Sequence, residues 1–127
     1  MSTISRRLLP WFLTTWFAFG GPAIGEDVSF PSRDGALNGG NPTLLRGLLL
    51  RPMGAGPFPA VIALHGCTGL FDSHGELVAR EASWGRLLTS RGYVVLFPDS
   101  FGPRGVASDC QGSVRPWVER SHDAYGR

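Results

Sequence analysis

Two short apolar runs, Ala60-Val61-Ile62-Ala63-Leu64 and Tyr93-Val94-Val95-Leu96-Phe97, constrain this chain more than any other feature. Each is about five residues long and bounded by proline or glycine, the form of a strand buried on both faces of a sheet. Between them, Glu76 to Arg91 reads as an amphipathic helix, with Leu77, Glu81, Trp84 and Leu88 on one stripe and Leu87 beside it, ended by Gly92. A strand, a helix and a second strand at this spacing make a βαβ unit and predict parallel pairing of the two runs. The class expected is α/β.

Upstream, Val28 to Phe30 and Leu44 to Leu50 are two more strand-type segments. The turn chemistry of Pro31-Ser32-Arg33-Asp34-Gly35 and Asn38-Gly39-Gly40-Asn41-Pro42 separates them. They predict an N-terminal hairpin attached to a mostly parallel sheet. Downstream, Val114 to Tyr125 reads as a further helix with Pro116 in its first turn. No internal repeat, low-complexity tract or second domain interrupts the pattern.

The first 25 residues have a different character. Met1 to Arg7 is short and positive, Leu8 to Phe19 is largely apolar, and Ala23-Ile24-Gly25 places small residues before Glu26. That three-part order predicts a secretory signal peptide, 1–25, with cleavage before Glu26; the alternative is an uncleaved N-terminal anchor or a buried helix. The apolar run is short for a spanning helix, which needs about 20 residues. The reading therefore places residues 26–127 in a secreted or periplasmic protein, off the membrane after cleavage. The net charge of +2 comes from twelve basic residues, all Arg, against ten acidic ones. Arg6 and Arg7 lie in the signal segment, and without them the charges balance. Nothing remains that would form an electrostatic footprint for nucleic acid.

In open α/β sheets ligands collect at the carboxyl ends of parallel strands. The loops to inspect are therefore His65-Gly66-Cys67-Thr68-Gly69-Leu70 and Pro98-Asp99-Ser100-Phe101-Gly102-Pro103-Arg104-Gly105. Export would carry Cys67 and Cys110 into an oxidising compartment. If the loops that hold them meet in space they can form one disulfide; otherwise they remain two unlinked thiols.

Taken together, Gly56-Pro57-Phe58-Pro59 before Ala60–Leu64, the His-Gly loop, Gly92-Tyr93 through Arg104, and Arg120-Ser121-His122-Asp123-Ala124-Tyr125-Gly126 resemble the dienelactone hydrolase-like proteins of the α/β-hydrolase superfamily. The resemblance runs in order along nearly all of residues 26–127. It implies acyl transfer on a small-molecule ester or lactone, with no metal and no organic cofactor. It also implies an oxyanion loop of His65 and Gly66, in which the Cys67 backbone N–H faces the carbonyl oxygen as it becomes negative. Thr68 would shape that loop and, with Arg104, meet the substrate, the Arg104 guanidinium forking onto a carboxylate. The plainer role for Arg104 is a pairing with Asp99 or Asp109 that fixes its own loop. His122 and Asp123, on the expected last helix, read as solvated or packing residues.

Cys67, with His65 and His74 nearby, also invites the role of nucleophile. It does not stand in a Gly-x-Cys-x-Gly elbow, and no Ser of the chain stands in a Gly-x-Ser-x-Gly elbow either. In the family the elbow, the acid and the histidine come later than Arg127. Residues 26–127 thus read as the N-terminal part of an α/β-hydrolase, short of the ~200–250 residues that single α/β domains often occupy. Its remaining partner would be the C-terminal half. The competing expectation is a catalytically inactive remnant or binding module that keeps the oxyanion loop without the triad.

Overall fold

Alternation in Leu44-Leu45-Arg46-Gly47 sets the face of the sheet: Leu45 and Gly47 are buried, while Leu44 and Arg46 are exposed. The computed structural model describes residues 23–112 together with 122 and 123. Strand β1 (Ile24–Pro31) and strand β2 (Leu44–Arg51) form the expected hairpin, antiparallel from Ile24 opposite Arg51 to Pro31 opposite Leu44. β1 is longer than the Val28–Phe30 core of the expectation and begins at Ile24, upstream of Glu26. The rest of the predicted signal peptide, and the Val114–Tyr125 helix apart from the helical pair His122 and Asp123, lie outside the described residues.

Strand β3 (Ala60–Ile62), helix α1 (Ala79–Ser90) and strand β4 (Val94–Asp99) form the βαβ unit, with β3 and β4 parallel. The four strands make one mixed sheet in the order β1-β2-β4-β3. β2 pairs with β4 antiparallel, so two of the three pairings are antiparallel and the expectation of a mostly parallel sheet does not hold for the described residues. The hairpin sits directly against β4, and that long-range pairing has no local signature.

Pro98 does not halt β4. Val94 N–H donates to Pro59 O and Leu96 O accepts from Ala63 N–H, so the even-numbered residues of β4 face β3. Pro98 is the next such residue and has no N–H to give. It ends the ladder to β3 while β4 continues against β2, Pro98 opposite Gly47 and Asp99 opposite Arg46.

The expected burial of Ala60–Leu64 on both faces is not found. Among the described residues β3 is an edge strand, and Ile62 and Leu64 are 46% and 41% exposed. Helix α1 also starts later than Glu76. Phe71 pairs with Leu77 across a small antiparallel bridge, Asp72 N–H donates to Glu76 O, and Val78 N–H donates to Leu70 O. These bonds hold residues 71–78 out of the helix. At the other end, Tyr93 N–H reaches Leu88 O and Gly92 N–H reaches Thr89 O, with Gly92 at a φ of 84°. This double closure needs a left-handed residue, which glycine supplies without a Cβ penalty.

The buried stripe of α1 is Glu81, Gly85 and Thr89 with Leu88 partly buried, whereas Trp84 and Leu87 are exposed. Gly85 explains the rotation. A Cβ there would lie 2.6 Å from Leu50 Cδ1 and 3.3 Å from Phe97 Cε2, so the helix touches the sheet along its glycine. Beneath it lies the core of Leu70, Val95 and Phe97, flanked by Leu50, Ala63, Phe71, Leu77, Leu88 and Tyr93.

Gly47 is the other close approach. A Cβ at Gly47 would stand 2.9 Å from the Phe97 carbonyl oxygen, and backbone cannot swing aside as a side chain can. Gly47→Ala is therefore expected to destabilise the chain by about 1–3 kcal/mol through overpacking. An unchanged urea midpoint would show that β2 and β4 are not held this tightly.

Candidate functional site

The loops that follow β3 and β4 meet at the carboxyl end of the parallel pair, and His65 joins them. It is 1% exposed. Its Nε2 accepts the Ser100 backbone N–H at 3.1 Å, so the ring proton belongs to Nδ1, which stands 2.7 Å from Gly66 O. The ring meets Phe101 edge-on, with centroids 4.7 Å apart and planes at 73°. Both nitrogens thus serve the backbone, and His65 is a strut between the loops.

Gly66 lies under Arg80: a Cβ at Gly66 would be 2.7 Å from Arg80 Nη2. The Arg80 guanidinium forms an ion pair with Glu81, and the two line a cavity of about 560 Å³ beside β3, together with Val61, Leu64, His65 and Trp84. Glu81 is buried, and its Oε2 has no hydrogen-bond partner.

Cys67 and Cys110 are joined by a disulfide with Cα atoms 4.8 Å apart, and Asp109 N–H donates to Cys67 O at 2.7 Å. The two loops therefore do meet. The bridge also takes the Cys67 sulfur out of use as a nucleophile, which leaves the backbone N–H as the group this residue can offer. Thr68 is exposed and lines a second cavity, of about 410 Å³, between the two loops.

Arg104 is paired within the protein, as its plainer role had it, but with other partners. Its side chain is 3% exposed. Nη1 donates to Ser100 O at 2.7 Å and to Asp123 Oδ2 at 2.9 Å; Nη2 donates to Asp123 Oδ1 and to Asp34 Oδ2, both at 2.8 Å, and to Ser32 Oγ at 3.2 Å. The guanidinium offered to a substrate carboxylate is thus forked onto two carboxylates of the protein itself. Those are not Asp99 or Asp109. Asp99 Oδ1 is occupied locally, accepting from the N–H groups of Phe101 and Gly102 at 3.1 and 2.9 Å, and so caps the 3₁₀ turn Gly102–Arg104.

Of the two roles expected for Asp123, solvated or packing, its burial excludes the first. Asp123 is 1% exposed, and Ser32 Oγ donates to its Oδ1 at 2.7 Å. Asp34, also 1% exposed, accepts from Thr43 N–H at 2.8 Å and from the Thr43 hydroxyl. Burial alone would raise the Asp34 pKa; the Thr43 hydroxyl, the Thr43 N–H and then Arg104 outweigh it and hold the carboxyl at about 2. Burial works against the Arg104 charge too, and Asp123 and Asp34 reverse it, so that pKa is raised.

Sequence reasoning missed Ser32, Asp34, Thr43 and Asp123 as one cluster. The only local trace is Ser32-x-Asp34, where the Asp34 N–H bonds Ser32 Oγ at 3.2 Å within the turn. Among the described residues no group of three or more His, Cys, Asp or Glu is placed to hold a metal ion. Compared with known proteins, the chain matches no family model and no curated protein.

Proposed function

We propose that residues 26–127 are the N-terminal part of a secreted or periplasmic α/β-hydrolase of the dienelactone hydrolase-like type, acting on ester or lactone bonds by acyl transfer. The observation that carries this reading is the position of the His-Gly-Cys loop. It leaves the carboxyl end of a strand paired in parallel with β4, and His65 and the Cys67–Cys110 bridge fix it to the loop after β4. A loop held in this way has little freedom to lose when a carbonyl oxygen docks against it.

In the proposed reaction a nucleophile outside these 127 residues attacks the substrate carbonyl carbon, and the carbonyl electron pair moves onto oxygen. The Cys67 N–H then donates to that oxyanion. Collapse breaks the acyl C–O bond; the alkoxide is protonated and departs as the alcohol from an ester or stays as a hydroxyl on the acyl group from a lactone, and water then cleaves the acyl intermediate to the acid and frees the nucleophile. A preorganised donor of this kind contributes about 3 kcal/mol to transition-state stabilisation.

The absence of a Gly-x-Ser-x-Gly or Gly-x-Cys-x-Gly elbow within the 127 residues favours a second reading, a binding module that retains the loop without catalysis. Reading the coding DNA beyond the Arg127 codon in all frames separates the two. An elbow within a few tens of codons supports the hydrolase, and unrelated sequence supports the module. Under both readings the chain itself is expected to hydrolyse p-nitrophenyl acetate no faster than buffer. Turnover that Cys67→Ala abolishes would reassign Cys67 as a nucleophile.

A further inference from the structure

The cavity between the loops that follow β3 and β4 has its own chemistry. Its volume, about 410 Å³, falls within the ~300–1,000 Å³ of small-molecule pockets. Phe71, Phe101 and Val106 supply apolar wall, Thr68 a hydroxyl, and Asp72 and Asp99 two carboxylates. No Arg or His lines it among the described residues, and the chain contains no Lys at all.

Arg104, one candidate for a cation at this mouth, does not line the cavity, and its fork is filled by Asp34 and Asp123. Arg46, opposite Asp99 in the β2–β4 register, opens on the neighbouring cavity of about 340 Å³, where Asp27 and Asp99 outnumber it. Asp99 fronts both cavities. A carboxylate entering between the loops would therefore meet like charge, and no Arg or His among the described residues lines the cavity.

We propose that this cavity binds a small aromatic or aliphatic group that is neutral or carries an amine, and that it rejects carboxylates. The apolar wall takes the ring or chain, and Asp99 and Asp72 favour an ammonium or a hydrogen-bond donor at its end. In calling that ligand a substrate, the inference rests on the hydrolase reading, and it then makes the substrate a neutral or amine-bearing ester or lactone. The binding preference itself is a property of these residues and is measured without turnover.

Equilibrium dialysis of the full 127-residue chain against three ligands that share a phenyl ring makes the test: methyl phenylacetate, phenethylamine and phenylacetate. It reads free ligand and tolerates a chain that self-associates. The neutral ester and the amine are expected to bind at least about tenfold more tightly than the carboxylate. Asp99→Asn keeps the Oδ1 acceptor that Phe101 and Gly102 need while removing the charge. It is expected to weaken the amine and strengthen the carboxylate, narrowing the difference. Asp72→Asn, on an exposed residue, should act in the same direction to a smaller extent.

Equal or tighter binding of phenylacetate, retention of none of the three, or a preference unchanged in both variants would overturn the proposal. None of those results touches the hydrolase reading, which stands or falls on the elbow in the coding DNA. An elbow found there would not rescue this preference either.

Discussion

Arg104→Met is expected to destabilise the chain by about 3–5 kcal/mol, because it removes one member of a buried ion cluster and leaves the others uncompensated. Asp34 and Asp123 are each 1% exposed and share the single guanidinium. Methionine fills much of the arginine stem's volume but donates nothing to Ser100 O, Ser32 Oγ or either carboxylate. Marginal stabilities of 5–15 kcal/mol make this a large fraction of the total.

The pH dependence gives the effect a sign that simple loss of packing would lack. The Asp34 carboxyl is lowered from 3.8 to about 2 in the fold, so its contribution is fully present above pH 4 and is lost as pH falls toward 2. That shift corresponds to about 2 kcal/mol. Once Asp34 is protonated it no longer needs a cation, in the variant as in the wild type. The urea midpoints of wild type and Arg104→Met should thus be far apart at pH 7 and draw closer as pH falls from 4 toward 2, by the part of the shift that Arg104 rather than Thr43 supplies. A gap of constant size across that range would mean that Arg104 acts by shape and not by charge.

Replacing both Cys67 and Cys110 by serine is expected to cost about 4 kcal/mol. The bridged residues are 43 apart in sequence, and closing a loop of that length removes entropy from the unfolded chain. Urea unfolding of the oxidised chain against the double variant measures the difference. Coincident curves would show that the enclosed segment, which contains α1 and β4, is already closed in the unfolded ensemble. The double variant is also expected to loosen the 67–70 loop locally, seen as faster amide exchange at Thr68 and Gly69 than in β4.

The βαβ unit was legible because its signals are local. An apolar run of five, a helical period and a glycine at the helix end each lie within a dozen residues, and Gly92 takes the left-handed position its place in the sequence suggested. The direction in which α1 faces was not legible. Trp84 and Leu87 looked like its inward side, but Gly85 lets the helix approach Leu50 and Phe97 along a line that carries no large side chain. Apolarity marks what a residue tolerates, and here the closest contact fell to the residue with least bulk.

The candidate site divides in the same way. The two loops were found from strand ends, and the disulfide joins the cysteines they carry. The partners of Arg104 were not found, because they lie 70 and 19 residues away and the nearby Asp99 is captured by its own turn. A buried charge chooses among carboxylates by three-dimensional reach, for which one sequence holds no periodic signal.

The exposed margin of β3 has a consequence for how this chain behaves in a tube. Residues 60–64 carry Ile62 and Leu64 on open surface, and β3, which has no strand on its outer side among the described residues, presents backbone groups there to any other strand that arrives. Encounter between two such margins is second order in protein, whereas unfolding is first order. Raising the concentration therefore shortens the lifetime of the dispersed chain without altering any contact inside it. The apparent melting temperature of concentrated samples will follow heating rate and concentration, and only dilute samples will report the fold itself.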